Sequence, residues 1–343
     1  MSNFEFVFNV QNAPTQNEGD ENRPTVDWAA RTKYMVDNCG TKDKAETEIF
    51  IITGVVDLGM HIQEDAKMEF KGDADAEAKE LEKNPNQYFE TLLNDKKVPT
   101  RYKRWKITKP QQMVGLTVDN PKRMLNIAQF HDENADGTLH PLRMLLNGEF
   151  YQKPIGKIVN KMGYSTKEVK NDDNTWSFKN NTTLYKLAKA VGVLDDKGHF
   201  KPAHMGKLIG KPILCEFQVF TNQVGDKEYL NEKVSFKGEV PSMMKDFIPA
   251  IDSSYFYGVN FDGTQDHAVL KNLRQSMVTT MQAAVNFEGS DIQKALIEIG
   301  RVRAKAEGEG QPQAVPQTPN MVKDTPAPQP APDFDAFDDD IPF

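Results

Sequence analysis

Glu48-Ile-Phe-Ile-Ile-Thr-Gly-Val-Val-Asp-Leu-Gly-Met60 decides the fold. Its first half is apolar and β-branched at consecutive positions, so both faces of an extended chain must be covered there, as in a barrel strand. Gly54 falls where such a strand has to bend. A second stretch, Ile213-Leu-Cys-Glu-Phe-Gln-Val-Phe220, alternates instead. Ile213, Cys215, Phe217 and Val219 share a face that belongs in the core, and Glu216, Gln218 and Phe220 share the other. A Gly225-Asp226 turn then brings the chain back as Tyr229 to Val240. Leu230, Val234 and Phe236 point inward there, and Tyr229, Lys233, Ser235 and Lys237 point out. Val114 to Val118 and Leu125 to His131 read as further strands. Leu184, Leu187, Ala188 and Val191 follow helical spacing and mark an amphipathic helix over Asn181 to Asp195, capped by Asn181 or Thr182.

Elsewhere the pattern turns helical. Residues 63 to 95 read as a helical insertion between strands. Ala74 to Lys83 is rich in Ala, Glu and Lys, and after Asn84-Pro85 the residues Tyr88, Phe89, Leu92 and Leu93 form an apolar helix face. Ser242 to Ile248 is a short turn of helix. Asp266 to Phe287 is a longer helix with Leu270, Leu273, Met277 and Met281 on one face. Ser290-Asp-Ile-Gln293 has the capping-box pattern and opens a last helix through Ala306. The chain thus divides into a polar N-terminal segment with a Phe4-Phe6-Phe8 alternation (1–25), an elaborated barrel (26–262), C-terminal helices (263–306), a flexible Pro/Gln/Ala-rich tether (307–332) and an acidic end (333–343). The expected class is mainly β with helical additions (α+β). The expected architecture is a five-stranded β-barrel of the OB type, with a helix between its third and fourth strands, a helical insertion, C-terminal helices and a disordered tail.

The 343 residues are 38% hydrophobic, enough to bury a sizeable core. Cys39 and Cys215 have neither metal spacing nor a disulfide framework and are expected to be buried and reduced. No apolar run approaches the ~18 residues of a membrane span, and Met1 to Val10 lacks an export signal, so the expected location is the cytoplasm. Net charge is −8, yet residues 307–343 carry eight acids against Lys323 alone and so hold −7 of it. The body is about neutral, and local clustering decides what it attracts.

One cluster is prominent. Lys96, Lys97, Arg101, Lys103, Arg104, Lys106 and Lys109 lie together without an acid after Asp95, and Tyr102 and Trp105 are interleaved among them. Cations neutralise phosphates and rings stack on bases, for ~1–3 kcal/mol per base, so the pattern suits single-stranded nucleic acid. In a regular strand Tyr102 and Trp105 point to opposite faces. Both reach DNA only from a loop or a bulge; otherwise the segment is a solvated basic strand with Trp105 in the core. The hairpin offers a second face of the same chemistry, bearing Phe220, Tyr229, Lys233 and Lys237. Several other motifs fail on inspection. Asp132 to Gly137 mimics a calcium loop, but its twelfth position is Arg143 and Pro141 interrupts it. His131 and His140 lack partners at ligand spacing and are expected at solvent or turn positions. Gly206-Lys-Leu-Ile-Gly-Lys-Pro212 has the wrong spacing for a phosphate loop, and Pro212 stands where Ser or Thr must bind magnesium. No cofactor or metal is expected.

The end of the chain, Asp333-Phe-Asp-Ala-Phe-Asp-Asp-Asp-Ile-Pro-Phe343, places carboxylates before an apolar tripeptide whose last residue carries the α-carboxylate. Phe343 is suited to fill an apolar pocket with a cation at its rim, while the aspartates steer it to a basic surface. This stretch resembles the C-terminal tip of bacterial single-stranded-DNA-binding proteins, in which an aspartate run also ends in Ile-Pro-Phe. The helix, Leu-Ile-Gly-Lys-Pro and hairpin sequence resembles the single-stranded-DNA-binding proteins of bacterial viruses. The resemblance implies partner docking through Asp338, Asp339, Asp340, Ile341, Pro342 and Phe343, with replication, recombination and repair enzymes as the partners. The body, nearly three times the ~100 residues that a simple OB barrel needs, suggests a bacterial-virus protein acting in the host cytoplasm.

The expected function is sequence-tolerant single-stranded DNA binding, without enzymatic activity and without a membrane. The rivals are a strand-annealing or recombination mediator, an adaptor, and an enzyme of DNA metabolism using scattered acids such as Asp57 or Asp262. The helices after residue 265 serve either as a homo-oligomer interface or as a lid on the barrel.

Overall fold

The computed structural model describes residues 27–40, 44–62, 65–94, 96–106, 109–130, 135–146, 164–224 and 227–303. The phenylalanine alternation at 4–8, the Gly225-Asp226 turn, His131, the start of the calcium-like loop, the tether and the acidic tip lie outside the described residues. In chain order the elements are α1 (Trp28–Cys39), β1 (Glu46–His61), β2 (Ala66–Glu69), α2 (Ala74–Lys83), β3 (Gln87–Leu93), β4 (Pro99–Trp105), β5 (Gln111–Leu125), β6 (His140–Leu145), β7 (Tyr164–Ser165), β8 (Glu168–Lys170) and β9 (Trp176–Phe178). There follow α3 (Thr183–Ala190), β10 (Pro212–Val224), β11 (Lys227–Gly238), α4 (Ser242–Lys245), β12 (Tyr257–Val259), α5 (His267–Lys271), α6 (Gln275–Gln282) and α7 (Asp291–Glu298).

β1 carries the fold because it serves two cores. Phe50, Ile52 and Val55 enter the barrel interior, whereas Val56 and Leu58 join a second core built from the C-terminal helices. Consecutive apolar residues in Glu48–Met60 are the sequence trace of this double duty. Two register shifts, at Ile52/Gly54 and Asp57/Gly59, turn the strand between its tasks. Gly54 admits the ring of Tyr257, which would overlap a Cβ at that position. Gly59 has φ +84, and a Cβ there would lie 2.5 Å from the Phe261 ring.

The central sheet runs β11-β10-β1-β5-β6, with β12 and β7 attached to β1 and β5. β1 pairs antiparallel with β10 through its first six residues and with β5 from Ile51 onward. β6 and β11 approach each other at the remaining seam, so five antiparallel strands form a nearly closed barrel. In sequence these are strands one (β1), two (β5), three (β6), four (β10) and five (β11), and α3 lies between the third and fourth. Thr182 caps α3, accepting from Tyr185 N, and Leu184, Leu187 and Ala188 are buried. The seam is bridged by a side chain. Arg274 donates to the Arg143 carbonyl at 2.8 Å and to Glu232 Oε2 at 3.1 Å, joining β6 to β11.

Four expectations are corrected. Only α2 of the insertion is helical; Gln87–Leu93 is a strand, because full pairing with β4 satisfies its backbone and Phe89 packs against Phe70. The insertion is therefore a three-stranded sheet, β2-β4-β3, with one helix. Leu125 ends β5, and residues 128–130 form a 3-10 turn rather than a strand. The helix expected over Asp266 to Phe287 is two, α5 and α6, broken at Asn272 to Arg274; Leu270, Leu273, Met277 and Met281 are nonetheless all buried. The last helix ends at Glu298, where Gly300 takes φ +73; its N-cap forms as expected, with Ser290 Oγ accepting from Gln293 N, but the Gln293 side chain reaches back to Gly289 N rather than to Ser290 N. Among the described residues no helix is long and apolar enough to cross a membrane.

Candidate nucleic-acid interface

The basic stretch Lys96 to Lys109 becomes the central strand of the insertion, and its charges meet acids that lie far from it in sequence. Arg101, Lys103 and Trp105 face α2. Arg101 donates to Glu77 at 2.5 Å, Lys103 pairs with Glu80, and Lys103 Nζ lies 5.1 Å over the Trp105 ring. With the Gln87 amide turned to satisfy both neighbours, Trp105 Nε1 donates to it at 2.8 Å. Tyr102 and Arg104 occupy the opposite face. Arg104 is buried, pairs with Glu90 at 2.6 Å and donates to the Asp65 carbonyl at 3.0 Å. Lys67 sits 5.3 Å over the Tyr102 ring. Residues 65–106 hold ten basic and nine acidic side chains, so the insertion has almost no net charge. Arg101, Lys103, Arg104 and Trp105, expected at DNA, each make contacts within this small sheet. Tyr102 and Trp105 do point apart, as a regular strand requires. Lys96, Lys97, Lys106 and Lys109 stay exposed, without an ion pair among the described residues.

The β10–β11 hairpin fares differently. Ile213, Cys215, Phe217, Val219 and Val234 are buried, and Leu230 and Phe236 pack against the same core. The register opposes Gln218 to Lys233, Phe220 to Asn231 and Asn222 to Tyr229, which puts Phe220, Tyr229 and Lys233 on one outer face. Lys233 is exposed, with its Nζ 5.0 Å over the Phe220 ring. Lys237 shares that side of the hairpin but pairs with Glu216 at 2.8 Å. β10 runs on for seven residues beyond the Glu46–Phe217 pair that ends its ladder with β1, so the ring-and-cation face stands clear of β1.

The outer face of β1, β5 and β6 is closed by the chain's own C-terminal part. Met113 and Leu145 join the second core with Val259, Phe261 and α5 to α7. Arg143 forms a two-pronged pair with the fully buried Asp119, at 2.9 and 2.8 Å, and its guanidinium stacks on Tyr255 and Tyr257. Burial opposes the charge on Arg143, but Asp119 outweighs it and holds the pKa above its ordinary range. Tyr257 Oη and Thr117 Oγ1 are 2.6 Å apart. The helices after residue 265 therefore lie on the barrel as a cover. Nothing local in the sequence announced the Asp119–Arg143–Arg274–Glu232 network, whose members come from β5, β6, the turn before α6 and β11.

The remaining candidates are structural. Asp57 Oδ1 accepts from Gly59 N at 2.9 Å and Oδ2 from Gln112 Nε2 at 2.8 Å, so the carboxylate caps the second bulge of β1. Burial pushes its pKa up to about 6. His61, wholly buried at the end of the same strand, is pushed down to about 4 by burial. Asp262 is exposed. His140 is not at a solvent position: half-buried, it lies with Nδ1 2.6 Å from Tyr255 Oη. Both cysteines are buried, and burial raises Cys39 to about 12. Pro212 begins β10, as its place after the Gly-Lys pair suggested. Among the described residues no group of three or more His, Cys, Asp or Glu is placed to hold a metal ion. No family model, no curated protein and no solved structure matches this chain.

Proposed function

We propose that this chain is a sequence-tolerant single-stranded DNA-binding protein whose barrel is of the OB type and whose acidic tip recruits enzymes of replication, recombination and repair. The observation that carries the proposal is the hairpin face, where Lys233, Phe220 and Tyr229 offer a cation and two rings together. Rings supply sequence-tolerant stacking because every base has a π-face, and the cation supplies the salt-dependent part. The strand order β11-β10-β1-β5-β6, with α3 between the third and fourth strands, supports the OB assignment. In such barrels the second and third strands and the loops after the first and fourth receive oligonucleotides. Here the outer face of the second and third strands is filled by Tyr255, Tyr257 and the C-terminal helices, so the strand is carried by the hairpin and the exposed lysines around the insertion. The tip, Asp338 to Phe343, supports recruitment through its resemblance to the bacterial tips, with Phe343 as the pocket anchor. A mobility-shift titration of the full chain with mixed-sequence oligonucleotides at two salt concentrations tests the function. Binding that weakens with salt and resists duplex competitor is expected; equal competition by duplex, or no binding, would overturn it.

A further inference from the structure

A second ring-and-cation surface lies on the small hairpin β8–β9, which the hydrophobic pattern left unassigned. Ser165 pairs with Met113, and Thr166 N donates to the Gln112 carbonyl at 2.9 Å. The next residue, Lys167, therefore comes beside Gln111, two residues from the exposed Lys109 at the root of the insertion. Lys179 N donates to the Lys167 carbonyl at 2.8 Å, and three residues further along Lys170 is directly opposite Trp176. Lys109, Lys167, Lys179 and Lys170 are all exposed, without an ion pair among the described residues. Lys170 shares the face of the indole, whereas Lys167 and Lys179, each three residues along, stand on the opposite face of the hairpin toward the root of the insertion.

Trp176 itself is 52% exposed, although its neighbour on the same face, Phe178, is buried against Phe200 and donates its N–H to the Phe200 carbonyl at 2.9 Å. The hairpin is thus fixed to the barrel's main core, while a large ring two residues away is left in water. The acids nearby do not cancel these cations. Glu168 is partly buried, Asp173, though exposed, is held by Lys197 and Thr175, and Asp172 is exposed at the turn. Residues 164–211 carry nine lysines against five acids, unlike the balanced insertion. Phe247, 79% exposed, has no such setting: its neighbour Lys245 pairs with Glu239 and Asp246 precedes it.

We propose that the β8–β9 hairpin is a further single-strand contact, in which Trp176 stacks on a base and Lys170, directly opposite it, takes the adjoining phosphate. The proposal rests on the single-stranded DNA function above and places a second stretch of the path. Fluorescence-anisotropy titrations of a labelled thymidine oligonucleotide with the full chain test it. Trp176→Ala should bind about 5- to 150-fold more weakly and Trp176→Phe close to wild type. Lys170→Ala should flatten the log–log salt slope by up to about 0.7. An exposed indole is not needed for packing, so thermal midpoints should be unchanged; if Trp176→Ala melts early, the lysine variant decides. Unbound wild type would remove the function and this contact together. Wild-type affinity in Trp176→Ala and an unchanged slope in the lysine variant, with Phe220→Ala weakened, would overturn this contact alone and leave the exposed indole to a protein partner.

Discussion

Replacing Arg104 by Ala separates a fold contact from a DNA contact. Its side chain is 8% exposed, pairs with Glu90 at 2.6 Å and donates to the Asp65 carbonyl at 3.0 Å. Breaking a fully buried pair costs about 3–5 kcal/mol, but Glu90 is 34% exposed and can rehydrate, which brings the expected loss to about 1–3 kcal/mol. The stranded Asp65 carbonyl adds about 1 kcal/mol within that range. Urea unfolding followed by amide exchange should show the loss concentrated in β2, β3 and β4, since neither the barrel core nor the second core includes Arg104. The salt dependence of oligonucleotide binding should stay as in wild type, where a lost phosphate contact would flatten the log–log slope by about 0.7. Glu90→Gln should be destabilising in the same elements without tightening DNA binding. A flattened slope in Arg104→Ala with unchanged stability would refute the reasoning, because the guanidinium would then be leaving Glu90 for a phosphate.

Phe220→Ala and Tyr229→Ala should each weaken oligonucleotide binding by about 1–3 kcal/mol with urea midpoints close to wild type; normal binding in both would make those rings ordinary surface. Asp57 and His61 set opposite pH slopes. Asp57 holds its proton to about pH 6 when folded, against 3.8 as its ordinary value, so its contribution to stability falls as pH rises through that window. His61 gives up its proton at about 4 when folded, against 6.5, so its contribution rises with pH up to the unfolded value. Asp57→Asn should leave the His61 slope uncovered. Relative to wild type, its stability should climb by about 2 kcal/mol between about pH 4.5 and 6, and parallel urea profiles would contradict this. Replacing Asp338, Asp339 and Asp340 by Asn should tighten oligonucleotide binding at low salt, with a difference that shrinks as salt rises. Deleting Phe343 should leave DNA affinity unchanged and abolish capture of enzymes that bind aspartate-Ile-Pro-Phe ends; retained capture would count against the tip's role.

What could be read in the sequence was what depends on near neighbours. The two-sided burial of Ile49 to Leu58, the face of α3, the Ser290 N-cap and the inward set of β10 are all local patterns, and all are present. Gln87–Leu93 was misassigned because Tyr88, Phe89, Leu92 and Leu93 suit one helix face as well as two faces of a strand, and only pairing with β4 decides. The pairing of the basic stretch was hidden for a related reason. Glu77, Glu80 and Glu90 lie 14 to 24 residues from their cationic partners, so a count of charges within the stretch could not foresee neutralisation across the sheet. Phe220, Tyr229 and Lys233 were legible because a hairpin fixes which residues share a face. Trp176 was not, since β8 and β9 are three residues each, too short for periodicity to register.

The path of the strand over the barrel is the central claim, and ultraviolet crosslinking of the full chain to a thymidine oligonucleotide, followed by peptide mapping, tests it most directly. Adducts are expected on Phe220 or Tyr229, on the exposed hairpin face, and none on Tyr255 or Tyr257, which are engaged with Arg143 and Thr117. Adducts confined to Tyr255 and Tyr257 would contradict the account, because the C-terminal cover would then have to lift for DNA to lie across the second and third strands of the barrel.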